Sequence, residues 1–193
     1  RLKYSPKLYE WLRSKENERI SVKSENDEIV ISAVGIGKHS ALPEGSVNAA
    51  ALIAEVLSEC ELLSEDTRKL SRFIYNISSD YYGAYLGIDN DDSEFGKLTF
   101  VNYIINADAS STELYFNIRY GLVITQDQIR ERLTNEFGQR GFELEFLDTS
   151  NPHIVPEDHP MLRALMDVYM KYTGKTDAKM HVNAGGTYGQ LLP

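Results

Sequence analysis

Gly35-Ile-Gly-Lys-His39-Ser-Ala-Leu-Pro43-Glu-Gly45-Ser-Val-Asn48-Ala-Ala-Ala-Leu-Ile-Ala is the stretch on which the reading of this chain turns. It follows an apolar run, 27–34, that reads as a strand, and it leads into an alanine-rich segment with helical spacing. Glycines free the backbone on either side of His39. Pro43 rules out a simple continuation of the strand, and Ser46 or Asn48 offers an oxygen to cap the helix that follows. The imidazole is therefore expected at a strand-to-helix corner, where it projects from a scaffold. A histidine at such a corner is also at home as a surface or hydrogen-bonded structural residue.

Toward the N-terminus, residues 6–15 carry Leu8, Trp11 and Leu12 at helical spacing behind a Ser-Pro start, which predicts a short amphipathic helix. Segments 20–23 and 28–34 read as strands joined by the turn-forming Asn26-Asp27, a hairpin. Toward the C-terminus, 47–57 is apolar almost all round and reads as a helix packed on a sheet. Ser64-Glu-Asp opens a second helix, with Leu70, Phe73, Ile74 and Ile77 on one face. Tyr81, Tyr82 and Tyr85 continue beyond it as core or interface aromatics. Residues 88–92 gather carboxylates, but the Gly at the sixth position and Glu at the twelfth that an EF-hand calcium loop needs do not fall into place. The stretch is read as a solvated acidic loop.

Segments 97–107 and 112–120 alternate in apolar character across Asp108-Ala-Ser-Ser111, the mark of an antiparallel hairpin. Thr125 with Gln128 makes a capping box for a helix over 126–137, and 142–147 alternates as one more strand. Strand, helices, strand, strand, helix, strand is the order of a split β-α-β unit. The expected class is α+β: a ferredoxin-like antiparallel sheet with helices on one face, spanning 1–150. Beyond Ser150 the character changes. Asn151-Pro152 and Val155-Pro156 punctuate a linker, Asp158-His-Pro160 starts a helix that Gly174 stops, and 179–182 reads as a short strand before Asn183-Ala-Gly185-Gly186-Thr187-Tyr188. A boundary is expected near residue 151, with 151–193 as the second region.

Composition narrows the function classes. The 193 residues are 42% apolar, ordinary for a globular protein, and carry a formal charge of −9 with no basic block. That weighs against nucleic-acid binding, which needs a Lys/Arg face to neutralise phosphate. A single cysteine, Cys60, excludes an internal disulfide and a cysteine-rich zinc module, fits a reducing, cytoplasmic setting, and reads as a buried inert thiol. No apolar run approaches the roughly 20 residues that span a bilayer, so no membrane partner is expected. The start at Arg1 without a methionine and the stop at Leu-Leu-Pro193 suggest a piece of a longer protein.

Gly-Lys-His39-Ser-Ala-x-Pro43-Glu-Gly45-x-x-Asn48-Ala resembles the strand–turn–helix that opens the lid, or dimerisation, domain of the zinc-dependent carboxypeptidase/aminoacylase/carnosinase family, and in particular of PepV-type dipeptidases. The resemblance covers nearly the whole chain, most specifically 35–50, 112–120 and 156–188. It implies three site elements. His39 would supply the hydrogen-bond donor that stabilises negative charge on the scissile carbonyl oxygen. Arg119, in Leu114-Tyr-Phe-Asn-Ile-Arg119-Tyr, would anchor the substrate's terminal carboxylate, for which a guanidinium is a natural fork; the pattern alone equally allows a solvated or salt-bridged arginine. Gly185, Gly186 and Thr187 would contact bound peptide at the rim of the catalytic domain. The family usually has Pro where this chain has Gly121, and often Arg where it has Gln190.

The family's zinc ligands and its general-base glutamate lie upstream and downstream of this segment. His153, His159 and His181 lack metal-ligand spacing. The resemblance thus implies a zinc cofactor in the full-length enzyme, none bound by this chain, and an isolated fragment that is inactive. The implied partners are a short peptide and the rest of the same polypeptide. The alternatives are a dimerisation or regulatory module, in which two copies pair along sheet edges, and the lid of an aminoacylase or carboxypeptidase.

Overall fold

In a computed structural model of the chain, the structure describes residues 1–108 and 110–182. They fall into two compact units, residues 1–90 with 98–119, and residues 91–97 with 120 onward. The change of character expected at residue 151 lies inside the second unit.

The first unit opens with β1 (Leu2–Lys3) and α1 (Pro6–Arg13), whose first-turn proline sits where its missing N–H costs no helical bond. β2 (Ile20–Glu25) and β3 (Glu28–Ala33) pair antiparallel in the register Ile20 to Ala33, and β1 adds to the far edge of β3. Their turn is tight because Asn26 and Asp27 both accept positive φ, 52° and 59°, the geometry that matches the twist of a two-residue hairpin. The alternation of β2 buries Ile20 and Val22 together with Leu8 and Leu12 of α1, Ile29 of β3, Val56 and Cys60. Cys60 is the fully buried free thiol expected from sequence.

Two helices follow. α2 (Ala49–Glu59) packs on β3 and on α3 (Glu65–Ser79). Of the two cap candidates, Asn48 caps α2, its Oδ1 accepting from the Ala50 N–H at 2.9 Å; Ser64 caps α3 through the Thr67 N–H at 3.2 Å. The expected second hairpin forms as β6 (Thr99–Ala107) and β7 (Thr112–Arg119), labelled after two short strands introduced below. Its turn is tied by the Asp108 carboxylate, which accepts from the Ser110 and Ser111 N–H groups and holds its pKa down at about 2. Phe100 and Phe116 stack across the hairpin with centroids 4.6 Å apart.

The second unit holds β4 (Asp91–Asp92), β5 (Gly96–Lys97), α4 (Gln126–Gly138) and α5 (Pro160–Thr173). α4 carries the predicted Thr125/Gln128 capping box in full and buries Ile129, Leu133 and Phe137. α5 ends at Gly174, as read, with the Gly174 N–H returning to the Met170 carbonyl at 2.9 Å. Among the described residues no helix is long and apolar enough to cross a membrane.

The α+β class stands, but its strands pair as separate antiparallel ladders, β1-β3-β2, β4-β5 and β6-β7. Two strand readings are corrected. Residues 142–147 join no ladder: Phe142 packs edge-on against Phe137 at 5.9 Å, and the Arg130 guanidinium lies 4.1 Å over the Phe146 ring. Alternating aromatics satisfy a helix flank as well as a sheet face. Residues 179–182 form no strand either.

Candidate functional site

The corner read from the sequence becomes a closed loop. Ile36 and Val47 form an isolated antiparallel bridge, their N–H and carbonyl groups exchanging bonds of 2.9 and 3.0 Å, so residues 37–46 leave and return at one point. Gly35 permits that closure, since a Cβ there would run into the Val47 carbonyl oxygen. Inside the loop the Leu42 N–H reaches the His39 carbonyl and the Ser46 N–H reaches the Pro43 carbonyl, each at 2.9 Å. Pro43 is fully buried and pegs the loop to the unit beneath.

His39 is exposed at the first of these turns. Its Nδ1 accepts the Ala41 N–H at 3.2 Å. A neutral imidazole that accepts at Nδ1 carries its proton on Nε2, so the outward nitrogen is a donor. The ring is exposed rather than sealed in the helix–sheet layer.

Side chains distant in sequence hold the loop. The Tyr81 hydroxyl accepts from the Asn48 N–H at 3.2 Å and donates to the Ser46 carbonyl at 3.3 Å. The Tyr82 hydroxyl donates to the Glu44 carboxylate at 2.7 Å, a bond that raises the phenol's pKa. Tyr81 and Tyr82, two of the three tyrosines read as core or interface aromatics, thus serve as loop supports. Asn48 does double duty, its Nδ2 donating to the Asn102 carbonyl at 2.9 Å. Asn102 is buried beside the irregularity between Asn102 and Ile104 in β6, where it donates to the Tyr115 carbonyl and accepts from Ser78 Oγ. A buried polar group this well satisfied fixes the start of α2, and with it the return of the loop, against the hairpin.

Arg119 is half-buried at the end of β7. Its Nε donates to Ser40 Oγ at 3.3 Å, and Ser40 Oγ lies 2.9 Å from Asn117 Oδ1. The structure therefore brings two of the sequence-predicted elements together: the residue following His39 rests on Arg119. Ser40 and Asn117 were not singled out from sequence. The available signal was that Asn117 and Arg119 lie two apart on one strand and so share a face. Gly185, Gly186 and Thr187 lie outside the described residues, as does Gln190.

In the second unit, Asp92 corrects the solvated-acidic-loop reading. It is 4% exposed and accepts four backbone N–H groups: Glu94 at 2.8 Å and Phe95 at 3.1 Å on Oδ1, Leu122 at 2.7 Å and Val123 at 3.2 Å on Oδ2. The Glu94 N–H first, and then the other three, hold its pKa below the ordinary carboxylate value against the opposing pull of burial. Its carboxylate occupies the space that a Cβ at Gly121 would need. Among the described residues no group of three His, Cys, Asp or Glu side chains is placed to hold a metal ion.

No family model matches the chain. It is 31% identical over 169 residues to YtjP of Bacillus subtilis (strain 168), a protein named as a dipeptidase, covering 87% of this chain and 36% of that one. It is 29% identical over 178 residues to the Beta-Ala-Xaa dipeptidase of Lactobacillus delbrueckii subsp. lactis, covering 89% of this chain and again 36% of the relative. A dipeptidase-named protein of Staphylococcus haemolyticus is 25% identical over 170 residues. The chain thus spans about a third of the length of the curated relatives it matches. Over nearly nine-tenths of its own length, this chain is similar to proteins named as dipeptidases.

Proposed function

We propose that the chain is the lid domain, with an adjoining strip of the catalytic domain, of a cytoplasmic zinc-dependent dipeptidase. The observation that carries this reading is the Ser40–Arg119 hydrogen bond, which sets the His39 loop on the strand that carries the arginine. On closure over a dipeptide, Arg119 takes the terminal carboxylate as a charge-assisted contact. The His39 Nε2–H donates to the scissile carbonyl oxygen as charge develops there. The Ala41 N–H occupies Nδ1, which leaves Nε2 as the donor. Closure also excludes water from the reacting bond, the usual contribution of a lid.

Zinc, which a dipeptidase of this family implies, does not fit the described residues of this chain. Its ligands would come from the rest of the polypeptide, the lid's partner. The substrate class follows the names of the relatives, one of which specifies Beta-Ala-Xaa.

The test is His39→Ala in the full-length protein. We expect kcat to fall by about 10²–10³, the usual cost of removing one oxyanion donor. A kcat held within about threefold would overturn the catalytic role and leave the dimerisation or regulatory module as the better account, to be checked by sedimentation with and without peptide.

A further inference from the structure

We propose that Ser40 is a positioning residue for Arg119, and that through Ser40 the carboxylate-binding arginine and the His39 turn act as one unit. The proposal rests on the function proposed above and concerns the same site.

Hydrogen-bond direction is fixed by chemistry. Arginine has no acceptor, so in the 3.3 Å contact Nε–H is the donor and Ser40 Oγ the acceptor. The Ser40 proton is then available for Asn117 Oδ1, 2.9 Å away. The result is a one-way chain, Arg119 Nε–H to Ser40 Oγ–H to Asn117 Oδ1, in which each bond polarises the next. Asn117 and Arg119 lie on one face of β7, so the hydroxyl bridges two successive side chains of that face and ties them to a loop 77 residues earlier.

Two consequences follow. With Nε–H donated to Ser40, the serine helps set the orientation of the guanidinium toward a carboxylate. Ser40 also sits between the His39 carbonyl, which closes the turn to Leu42, and the Ala41 N–H, which holds His39 Nδ1. A shift of Ser40 on Arg119 therefore moves the turn that aims the imidazole. A hydroxyl that only latched the loop would support stability but would not distinguish a carboxylate ligand from a neutral one.

The experiment uses the full-length protein, a β-alanyl dipeptide as substrate and its C-terminal amide as competitive inhibitor. For Ser40→Ala we expect KM for the free dipeptide to rise about tenfold, kcat to move less than threefold, and Ki for the amide to stay within twofold. Ser40→Thr, which keeps the hydroxyl, should restore KM. In an Arg119→Ala background, which itself abolishes the preference for dipeptide over amide, Ser40→Ala should add less than twofold. If Arg119→Ala leaves that preference intact, the carboxylate role of Arg119 and this inference fail together. If Arg119→Ala abolishes it but Ser40→Ala weakens dipeptide and amide equally, or retains its effect in the double variant, the positioning inference alone is overturned.

Discussion

The loop 37–46 and helix α5 are opposite solutions to the same problem of holding a segment in place. The loop has almost no regular structure, yet Pro43 is buried beneath it and Tyr81, Tyr82, Asn117 and Arg119 secure its backbone or side chains. α5 is fourteen residues of well-capped helix with none of them buried; Leu165 is 58% and Tyr172 79% exposed. Regularity and anchorage are thus separate properties. Caps and periodicity are enough to make a helix, whereas fixing a loop takes side chains brought in from elsewhere in the fold.

The sharpest way to break that comparison is to remove one large side chain from each kind of region. Phe100, 1% exposed and stacked on Phe116, belongs to the hairpin that supports the loop. Phe100→Ala should cost about 3–5 kcal/mol in urea unfolding, the usual range for a buried aromatic. Leu165→Ala should stay within about 0.5 kcal/mol, as for surface positions. Comparable losses at the two sites would show that α5 is packed after all.

What could be read from the sequence follows the same division. The α5 boundaries, the Thr125/Gln128 capping box and the Asn26-Asp27 hairpin each depend on close neighbours in sequence and appear as read, and of the two cap candidates Ser46 and Asn48 it is Asn48 that caps α2. The corner carrying His39 was also legible, because glycine, proline and cap residues are local punctuation. Its supports were not. Tyr81 is 35 residues from Ser46, and Ser40 is 79 from Arg119, separations at which no periodicity in one sequence says who meets whom. The two lost strands fail for the related reason that alternation describes a face but not its partner. Asp92 was misread because an acidic cluster is ordinarily solvated, and only the fold brings the Leu122 and Val123 N–H groups to it.

The next largest effect probes the closure of the loop itself. Gly35→Ala sets a methyl against the Val47 carbonyl oxygen, which must then give up its bond from the Ile36 N–H. The expected cost is about 1–3 kcal/mol, the range for overpacking at a tight site. Because His39 hangs from the closed loop, kcat of the full-length protein should fall along with stability. A Gly35→Ala protein with unchanged stability and kcat would show that the Ile36–Val47 bridge does not hold the histidine.

A pH-dependent effect tests whether one buried charge can anchor irregular chain in the second unit as a set of side chains does in the first. Asp92→Asn keeps the shape but removes the charge and one of the two carboxylate oxygens, so part of the N–H set from Glu94, Phe95, Leu122 and Val123 loses its acceptor. At pH 7 the loss should be about 1–3 kcal/mol. The folded-state pKa of Asp92 is lowered, so the unfolded chain takes up the proton first as the medium is acidified. The stabilisation by the carboxylate is therefore fully present above the ordinary carboxylate range and is lost as pH falls through the lowered folded value. The gap between wild type and Asp92→Asn should be flat from pH 7 down to about 5 and narrow below about 4. A gap that stays constant into acid would mean that the N–H groups are held by shape alone, and that the charge contributes nothing to fixing Gly121 and the turn behind it.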